Sequence, residues 1–518
     1  MASSSDKIKL LEQQVELQKQ QIDVLTKLLA QRDRDVERLK HRVDLLVRQR
    51  YGRSSEKLPN GQGELFDLEV DESEEMEASE DEEPSSDDEP ARKSRHKGRQ
   101  KLPQELPRRR TEIHPDPQSC ICEYCNEAMS PIGEEVSERL DYEPASYFVV
   151  ETARIKYGCA SCQIGVACPE LPPEPIEKGM PGLGLLAHVV TSKYCDHLPL
   201  YRLEAIFARA GLHLSRKTLC GWVGAVAGLL EPIVARLREI ILSRDVIQSD
   251  DTTIRVLDRE APGGSRRGYF WGFAGQPGEV VFHYDPSRSG KVPAQWLCIT
   301  RGYLQVDGYA GYNDLFRERR PLIEVGCWAH ARRKFRESLT TAPKRASEIV
   351  AYIRSLYRIE RTLKGATTET RFRVRQQSAR PILRKLRKRL RELEKEVLPK
   401  SPLGMAISYT LDRWRALRRY ACDGRLEIDN NRIERAIRPI AIGRKNYLFA
   451  GSDEGATRAA TIYSLVVSCK ELGVDPFVYF RDVLAAVSTH PASRIDELTP
   501  AGWKATRQER LFEVTVTP

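Results

Sequence analysis

A seven-residue repeat of apolar positions runs through residues 8–46. One seam position holds mostly β-branched residues and the other mostly leucine, with Gln18 and Arg32 as polar exceptions. This combination favours a parallel two-stranded coiled coil, in which polar seam residues fix the register at some cost in stability. Because the repeat continues for more than five heptads, it predicts a leucine-zipper-like dimerisation segment within residues 1–58. A helix packed on its own domain is the weaker alternative.

A second helical pattern, at residues 197–228, is interrupted by a glycine. Apolar positions at helical spacing end at Gly211, and Ser215 can cap a further helix that begins with Arg216 and Lys217. This order predicts a helix-turn-helix region within residues 176–240, whose second helix would enter the major groove of DNA. A helical hairpin that does not touch DNA has the same pattern, and the residues alone favour the two interpretations about equally.

From residue 245 the apolar spacing becomes that of β-strands. Short β-rich runs, then a helix after Ser287, then another strand give the order of an α/β sheet. The runs cover residues 245–258, 267–275, 279–289 and 303–313.

Helical spacing returns at residues 342–420 and again in the C-terminal region, residues 456–518, which shows no evident chemistry. Residues 371–395 hold eleven Lys or Arg against two Glu, interleaved with leucines. They predict an amphipathic basic helix, whose polar face is either simply solvated or a contact for the DNA backbone.

The length of the chain suggests how many units it has, and its charge distribution suggests a partner. A chain of 518 residues suggests about three or four units. The net charge of +9 conceals an asymmetry, since residues 64–89 contain fifteen acidic residues and no Lys or Arg. We predict a disordered linker at residues 59–110, first acidic and then basic. The basic remainder attracts phosphate backbones, so nucleic acid is the leading partner and plain solubility the alternative.

The sequence gives no sign of a membrane protein. Its start lacks a signal-peptide core, and we find no apolar run of the roughly 18 residues that a membrane span needs. We therefore expect a cytoplasmic protein.

Two CxxC pairs predict one structural zinc ion in a small β domain at residues 111–175. Four thiolates are the preferred tetrahedral ligand set of zinc. The pairs are Cys122 with Cys125 and Cys159 with Cys162. Cys120 and Cys168 lie close enough in sequence to substitute, and a redox role is less favoured because paired knuckles explain both motifs.

Three carboxylates are the candidate catalytic groups. Asp250 or its neighbour Asp251 comes from the first strand run, and Asp307 ends the fourth, where Gly308 lets the backbone turn. Neighbours on a strand face opposite sides, so only one of the first two can point where Asp307 points. With Glu434, such acids can hold two magnesium ions, which would promote in-line phosphoryl transfer.

Glu434 lies within residues 425–451. Asp and Asn residues at 429–431 can cap a short helix there, and Pro439 is expected to end or kink it near Arg438. Taken alone, Glu434 is more typical of a surface helix with ion pairs. Candidate DNA contacts surround the acids: Arg332, Arg333, Lys334, Asn431, Arg435, Arg438, Arg444 and Lys445.

Cys327 and His330 have ligand-like spacing, but no second pair accompanies them. We therefore favour packing over metal binding for these two residues.

The chain resembles the DDE transposases of the insertion-sequence sixty-six family. The resemblance is carried by the CxxC pairs and by RYGRSSEKL, LPLYRLEAIFARAGLHLSRKTL, LQVDGYAGYN, CWAHARRKF, SPLGMAI, DNNRIERAIRP, GRKNYLFAGSD and HPASRIDEL. It covers most of the chain outside the acidic linker. It implies a multidomain α/β protein with a ribonuclease-H-like catalytic domain at residues 241–455, interrupted by an all-helical insertion at about 338–420.

The resemblance also implies an activity. The family's acid triad maps onto Asp250, Asp307 and Glu434, although its usual Asp-Glu-Thr reads Asp-Asp-Thr here. It implies cleavage of insertion-sequence ends with magnesium or manganese, strand transfer into target DNA, accessory proteins from the same element and a bacterial, nucleoid-associated location. A catalytically inactive DNA-binding regulator is the alternative. A coiled-coil assembly protein would explain only the first fifty residues.

Overall fold

The computed structural model describes residues 179–317 and 322–516, together with short pieces before them. These pieces are single helical positions between 18 and 39, and residues 147–150, 157–158, 166–167 and 174–176. Most of the predicted coiled coil, the linker at 59–110 and the four predicted zinc ligands lie outside the described residues. The chain divides into two units, Asp67–Ala153 and the remainder, and the elements below belong to the remainder.

Two sheets are present in this unit. Strands β1 (Tyr157–Gly158) and β2 (Val166–Ala167) form a short antiparallel pair that brackets the second CxxC pair in sequence. The larger sheet has the spatial order β5-β4-β3-β6-β7. Its strands are β3 (Val246–Leu257), β4 (Ser265–Ala274), β5 (Val280–Asp285), β6 (Gly302–Gln305) and β7 (Leu322–Val325). Strands β3, β4 and β5 pair antiparallel, whereas β3, β6 and β7 run parallel. The predicted α/β sheet is confirmed.

Helices surround this sheet. Before it come α1 (Leu183–Tyr194), α2 (Leu200–Arg209) and α3 (Arg216–Leu242); between its strands lie α4 (Lys291–Trp296) and α5 (Asn313–Arg317). From β7 onward the described chain is helical: α6 (Trp328–Glu337), α7 (Pro343–Thr362), α8 (Thr368–Val374), α9 (Arg380–Glu396), α10 (Pro402–Asp412), α11 (Trp414–Leu417), α12 (Asn431–Tyr447), α13 (Asp453–Glu471), α14 (Pro476–Ala486) and α15 (Pro500–Val516).

Helix α3 follows the turn that the glycine pattern predicts. Gly211 has φ 80°, and the Ser215 side chain accepts the N–H of Thr218 at 3.2 Å. By length and composition α3 could span a membrane, which makes it an exception to the expectation that no such segment exists. One face of this helix, which includes Leu230 and Ile233, is buried in the protein core, as in a core helix of a soluble protein, so no membrane is implied.

Helix α12, which carries Glu434, is longer than predicted. It continues through Pro439 to Tyr447, so the expected end at this proline is wrong. A proline inside a helix removes one hydrogen bond and costs about 3 kcal/mol. The helix offsets this cost by burying an apolar face that includes Ile437 and Ile440.

A buried arginine links helix α7 to the chain at the end of the helical segment between β7 and α12. Arg375 is 0% exposed, at the start of a π-helical turn. Its Nε and Nη2 donate to the two oxygens of Glu360 at 2.9 and 2.6 Å. Its Nη1 donates to the main-chain oxygens of Tyr420, Asp423 and Leu426 at 2.9, 3.1 and 2.9 Å. One side chain thereby fixes the chain that returns towards α12.

Replacing Arg375 by methionine should lower the free energy of unfolding by about 3–5 kcal/mol, because Glu360 would remain as a buried charge without its partner. Urea denaturation followed by circular dichroism measures the change. Arg387→Met, on the exposed side of α9, is the control and should stay within about 0.5 kcal/mol of the original protein. Equal midpoints for both variants would contradict the role of Arg375.

Candidate active site

Asp250 lies within β3, two residues past its parallel pairing with β6, and Asp307 lies two residues beyond the end of β6. β3 and β6 pair in the register that sets Gln248 opposite Gln305. Each aspartate follows its glutamine by two residues, so it extends from the same face of the sheet. Gly308, with φ 85°, turns the chain directly after Asp307, as the sequence predicts.

The two glutamines hold the chain that leads to Glu434. Nε2 of Gln248 donates to Oε1 of Gln305 at 3.0 Å and to the main-chain oxygen of Asp429 at 3.3 Å. Nε2 of Gln305 donates to the main-chain oxygen of Glu427 at 2.9 Å. Oε1 of Gln248 accepts the N–H of Ile433 at 3.3 Å. The first turn of α12 is thus held over the face that carries both aspartates.

The role of these glutamines is not evident from the sequence. An amide has no charge or ligand chemistry that marks it, and only its partners reveal its role. One signal was available: the same Gln-x-Asp pattern occurs in both segments, as Gln248-Ser-Asp250 and Gln305-Val-Asp307.

A glycine lets α12 approach the sheet closely. Gly272 of β4 is the direct partner of Asp250. A Cβ at this position would lie 3.0 Å from Cδ1 of Ile433, the residue before Glu434. Glu434 itself is 5% exposed. The absence of a side chain at Gly272 therefore allows Glu434 to approach β3.

Asp429 caps α12. Its Oδ1 accepts the N–H of Asn431 at 3.2 Å, and its Oδ2 accepts the hydroxyl of Tyr357 at 2.7 Å. Tyr357 belongs to α7, so the inserted helices support the start of α12 as well. Asn430 makes no side-chain cap, and its buried amide has no hydrogen-bond partner in the described part of the chain.

Asp251 is bound to an arginine. Its carboxylate is 3% exposed and accepts Nε and Nη2 of Arg288 at 2.9–3.0 Å. Arg288 also lies over the ring of Tyr309, 4.0 Å from its centre. Asp250, not Asp251, therefore shares the face of Gln248 with the other acids.

The three acids act on one another electrostatically. Burial raises the pKa of Asp250 well above its usual range, and the charges of Asp307 and Glu434 raise it further. Burial raises the pKa of Glu434 to about 7; the charges of Asp429 and Asp307 also raise it, whereas Arg333 lowers it. The fold thus brings carboxyl groups together where they are poorly solvated, so their ionised forms are costly.

Helix α6 brings two further groups to Glu434. One ligand atom each of Cys327, His330 and Glu434 lies within 4.8 Å of the others. Nδ1 of His330 is 3.4 Å from Oε1 of Glu434. Burial lowers the pKa of His330 to about 4, so its imidazole is neutral near pH 7. The sequence showed the spacing of the first two residues but not the third, which comes from a distant segment.

Two groups of predicted DNA contacts lie outside α12. Arg216 and Lys217 are exposed at the start of α3. Three cations on α6 are partly exposed, near the acids: Arg332, Arg333 and Lys334.

The predicted contacts on α12 differ in orientation. Arg435 and Lys445 are exposed, whereas Asn431, Arg438 and Arg444 are partly buried. Nη1 of Arg444 donates to Oγ1 of Thr252 at 3.0 Å and to the main-chain oxygen of Thr253 at 2.6 Å. Arg444 therefore ties α12 to β3, a packing role that the sequence did not predict.

The donor set of the acids fits a hard divalent cation. Magnesium prefers carboxylate oxygen and retains waters for substrate phosphates. A cation would neutralise the charge that raises the pKa of Asp250 and of Glu434. Oε1 of Glu434 is buried and has no hydrogen-bond partner within the described residues.

Comparison with known proteins connects this geometry to a family. Residues 178–458 match "Transposase IS66 family" and residues 119–163 match "zinc-finger binding domain of transposase IS66". Residues 464–501 match "IS66 C-terminal element" and residues 38–111 match "Transposase C of IS166 homeodomain". The zinc-finger match contains both CxxC pairs.

Three relatives come from Sinorhizobium fredii (strain NBRC 101917 / NGR234), each described as an uncharacterized protein. The chain is 37% identical to y4jD over 423 residues, which are 78% of this chain and 82% of the relative. It is 35% identical to y4qI over 391 residues, 72% of each protein. It is 32% identical to y4hP over 432 residues, 78% of this chain and 77% of the relative. The chain therefore belongs to the IS66 family of transposases.

Proposed function

We propose that the chain is the transposase of an insertion sequence and that Asp250, Asp307 and Glu434 are its catalytic acids. It cleaves DNA at the ends of the element and joins the freed 3′-OH to target DNA. The observation that carries this proposal is that Asp250 within β3, Asp307 just beyond β6 and the buried Glu434 of α12 lie close enough for the charges of Asp307 and Glu434 to raise the pKa of Asp250.

The sheet supports a ribonuclease-H-like catalytic domain. Its central strand β3 and the parallel neighbour β6 deliver two acids, and a helical segment is inserted before the helix that carries the third. The match of residues 178–458 to a transposase family spans all three.

Transfer of a phosphoryl group between DNA strands depends mainly on positioning and charge stabilisation. When bound, two magnesium or manganese ions activate the attacking oxygen and neutralise the leaving one. The chain itself holds the three carboxylates in place, through the glutamine pair from the sheet and through Asp429 and Tyr357 beside α12. Arg333 supplies positive charge near the reacting phosphate.

DNA is the proposed partner, as element ends and as target. The exposed cations of α3 and α12 bind its backbone, and one structural zinc ion holds the CxxC domain. The chain dimerises through its N-terminal heptads, two of whose seam residues, Val36 and Leu39, are exposed in the single chain. Accessory proteins from the same element assist, in the bacterial cytoplasm at the nucleoid.

Asp307→Asn or Glu434→Gln should reduce magnesium-dependent cleavage of element-end DNA by on the order of 10⁴-fold, because the acids act as a unit. Binding of the same DNA should be retained. Cleavage of labelled end fragments and a gel-shift assay measure the two properties.

Asp314→Asn is the matched control, since this aspartate is exposed on α5 close to Asp307 in sequence; it should cleave normally. Normal cleavage by either acid variant would overturn the assignment. Binding without any cleavage by the original protein would indicate the inactive regulator instead.

Glu434→Gln should also stabilise the magnesium-free protein at pH 8, by up to about 3 kcal/mol. The pKa of Glu434 is raised from 4.5 to about 7, so the folded state favours its neutral form. That contribution to stability is complete below pH 4.5 and is lost as pH rises through 7. The advantage of the variant should therefore fade towards pH 4.5.

Urea denaturation at several pH values measures this difference, with Glu394→Gln on the exposed side of α9 as control. Added magnesium should stabilise the original protein at pH 8 more than Glu434→Gln. A variant less stable than the original at pH 8 without magnesium would contradict the repulsion among the acids.

A further inference from the structure

The cluster of Cys327, His330 and Glu434 adds a sulfur and an imidazole nitrogen, which magnesium does not favour, to one carboxylate. Cys327 is the extended residue directly before α6, and His330 lies in the first turn of this helix. Glu434 reaches the same point from α12, and the three ligand atoms lie within 4.8 Å of one another. Cys327 is 1% exposed, and the side chains of His330 and Glu434 are 13% and 6% exposed.

Two of the three ligand atoms face each other at 3.4 Å without forming a hydrogen bond. Nδ1 of His330 and Oε1 of Glu434 are both buried and make no hydrogen bond to any described residue. A buried polar atom without a hydrogen bond costs about 1–3 kcal/mol. Two such atoms facing each other therefore lower the stability of the protein, unless both bind a third species, such as an ion.

The sulfur of Cys327 lies at the same point and accepts the backbone N–H groups of Asn430 and His330. The neutral imidazole of His330 is the form that binds metals. One sulfur, one nitrogen and one carboxylate oxygen make a three-ligand set typical of zinc, with a fourth position open to water.

We propose that Cys327, His330 and Glu434 form a second cation site, which takes a thiophilic divalent ion such as zinc and shares Glu434 with the magnesium site. On binding, the Cys327 S–H bond breaks, a sulfur–metal bond forms and the proton passes to solvent, without any change of oxidation state.

The shared carboxylate makes the two sites compete. An ion bound to Cys327, His330 and Glu434 occupies the carboxylate that the magnesium site also needs. Zinc would then hold the enzyme in an inactive state until it is removed. This regulatory effect rests on the proposed function, whereas binding itself does not.

Cobalt(II) tests binding directly, because its thiolate complexes absorb visible light. The full-length protein is stripped of metal and reconstituted with cobalt, and bound cobalt per chain is measured together with the spectrum. The original protein should bind one cobalt more than Cys327→Ser and should show stronger thiolate absorption. The predicted ligands at Cys122, Cys125, Cys159 and Cys162 are the same in both proteins, so the difference isolates the new site.

Cys469→Ser is the matched control. Cys469 is equally buried, at 0% exposed, but belongs to α13 and to no metal-ligating group among the described residues; this variant should bind as much cobalt as the original. If Cys327→Ser does not fold by circular dichroism, His330→Asn replaces it and should lose the same cobalt. Equal cobalt content in the original protein and a folded variant of either residue would overturn the site.

Competition is tested by adding zinc to magnesium-dependent cleavage reactions. Half-inhibition of Cys327→Ser should need on the order of tenfold more zinc than half-inhibition of the original protein. Equal inhibition of both would refute the sharing of Glu434. If the original protein does not cleave DNA at all, the proposed function fails, and the cobalt measurement still decides whether the site exists.

Discussion

The hydrogen bond between the side chains of Gln248 and Gln305 sets the geometry on which the rest of this structure depends. It locks β3 against β6 in the register that places Asp250 level with Asp307. The remaining groups of the two amides bind the backbone before and within α12. Because each unpaired buried group costs about 1–3 kcal/mol, sliding a strand or lifting the helix would break several bonds together.

Electrostatic repulsion among Asp250, Asp307 and Glu434 opposes this arrangement. The inserted helices counteract this repulsion through hydrogen bonds. The hydroxyl of Tyr409 donates to the main-chain oxygen of Asp307 at 2.6 Å, and Tyr357 holds Asp429. Arg375 fixes the returning chain from within the insertion. The insertion is therefore part of the support of the site, and not only an appendage between two of its acids.

Periodicity was sufficient to predict the sheet and the helical segment, because burial of apolar faces leaves patterns in sequence. The residues left Asp250 and Asp251 as alternatives beside Asp307 and Glu434, and the catalytic role of the acids stays a prediction. Sequence patterns were not sufficient where the cause is tertiary. The passage of α12 through Pro439 depends on packing that only the folded protein supplies. The binding of Arg444 to β3 and the approach of Glu434 to Cys327 depend on residues far apart in the chain.

The separation of Glu434 from the two aspartates in the chain has a consequence for protein synthesis. A ribosome adds about 5–20 residues per second, so Glu434 emerges on the order of ten seconds after Asp307. During this interval the nascent chain has two of the three acids but not the helix that completes the set. The set of three acids is thus complete only once most of the chain has left the ribosome.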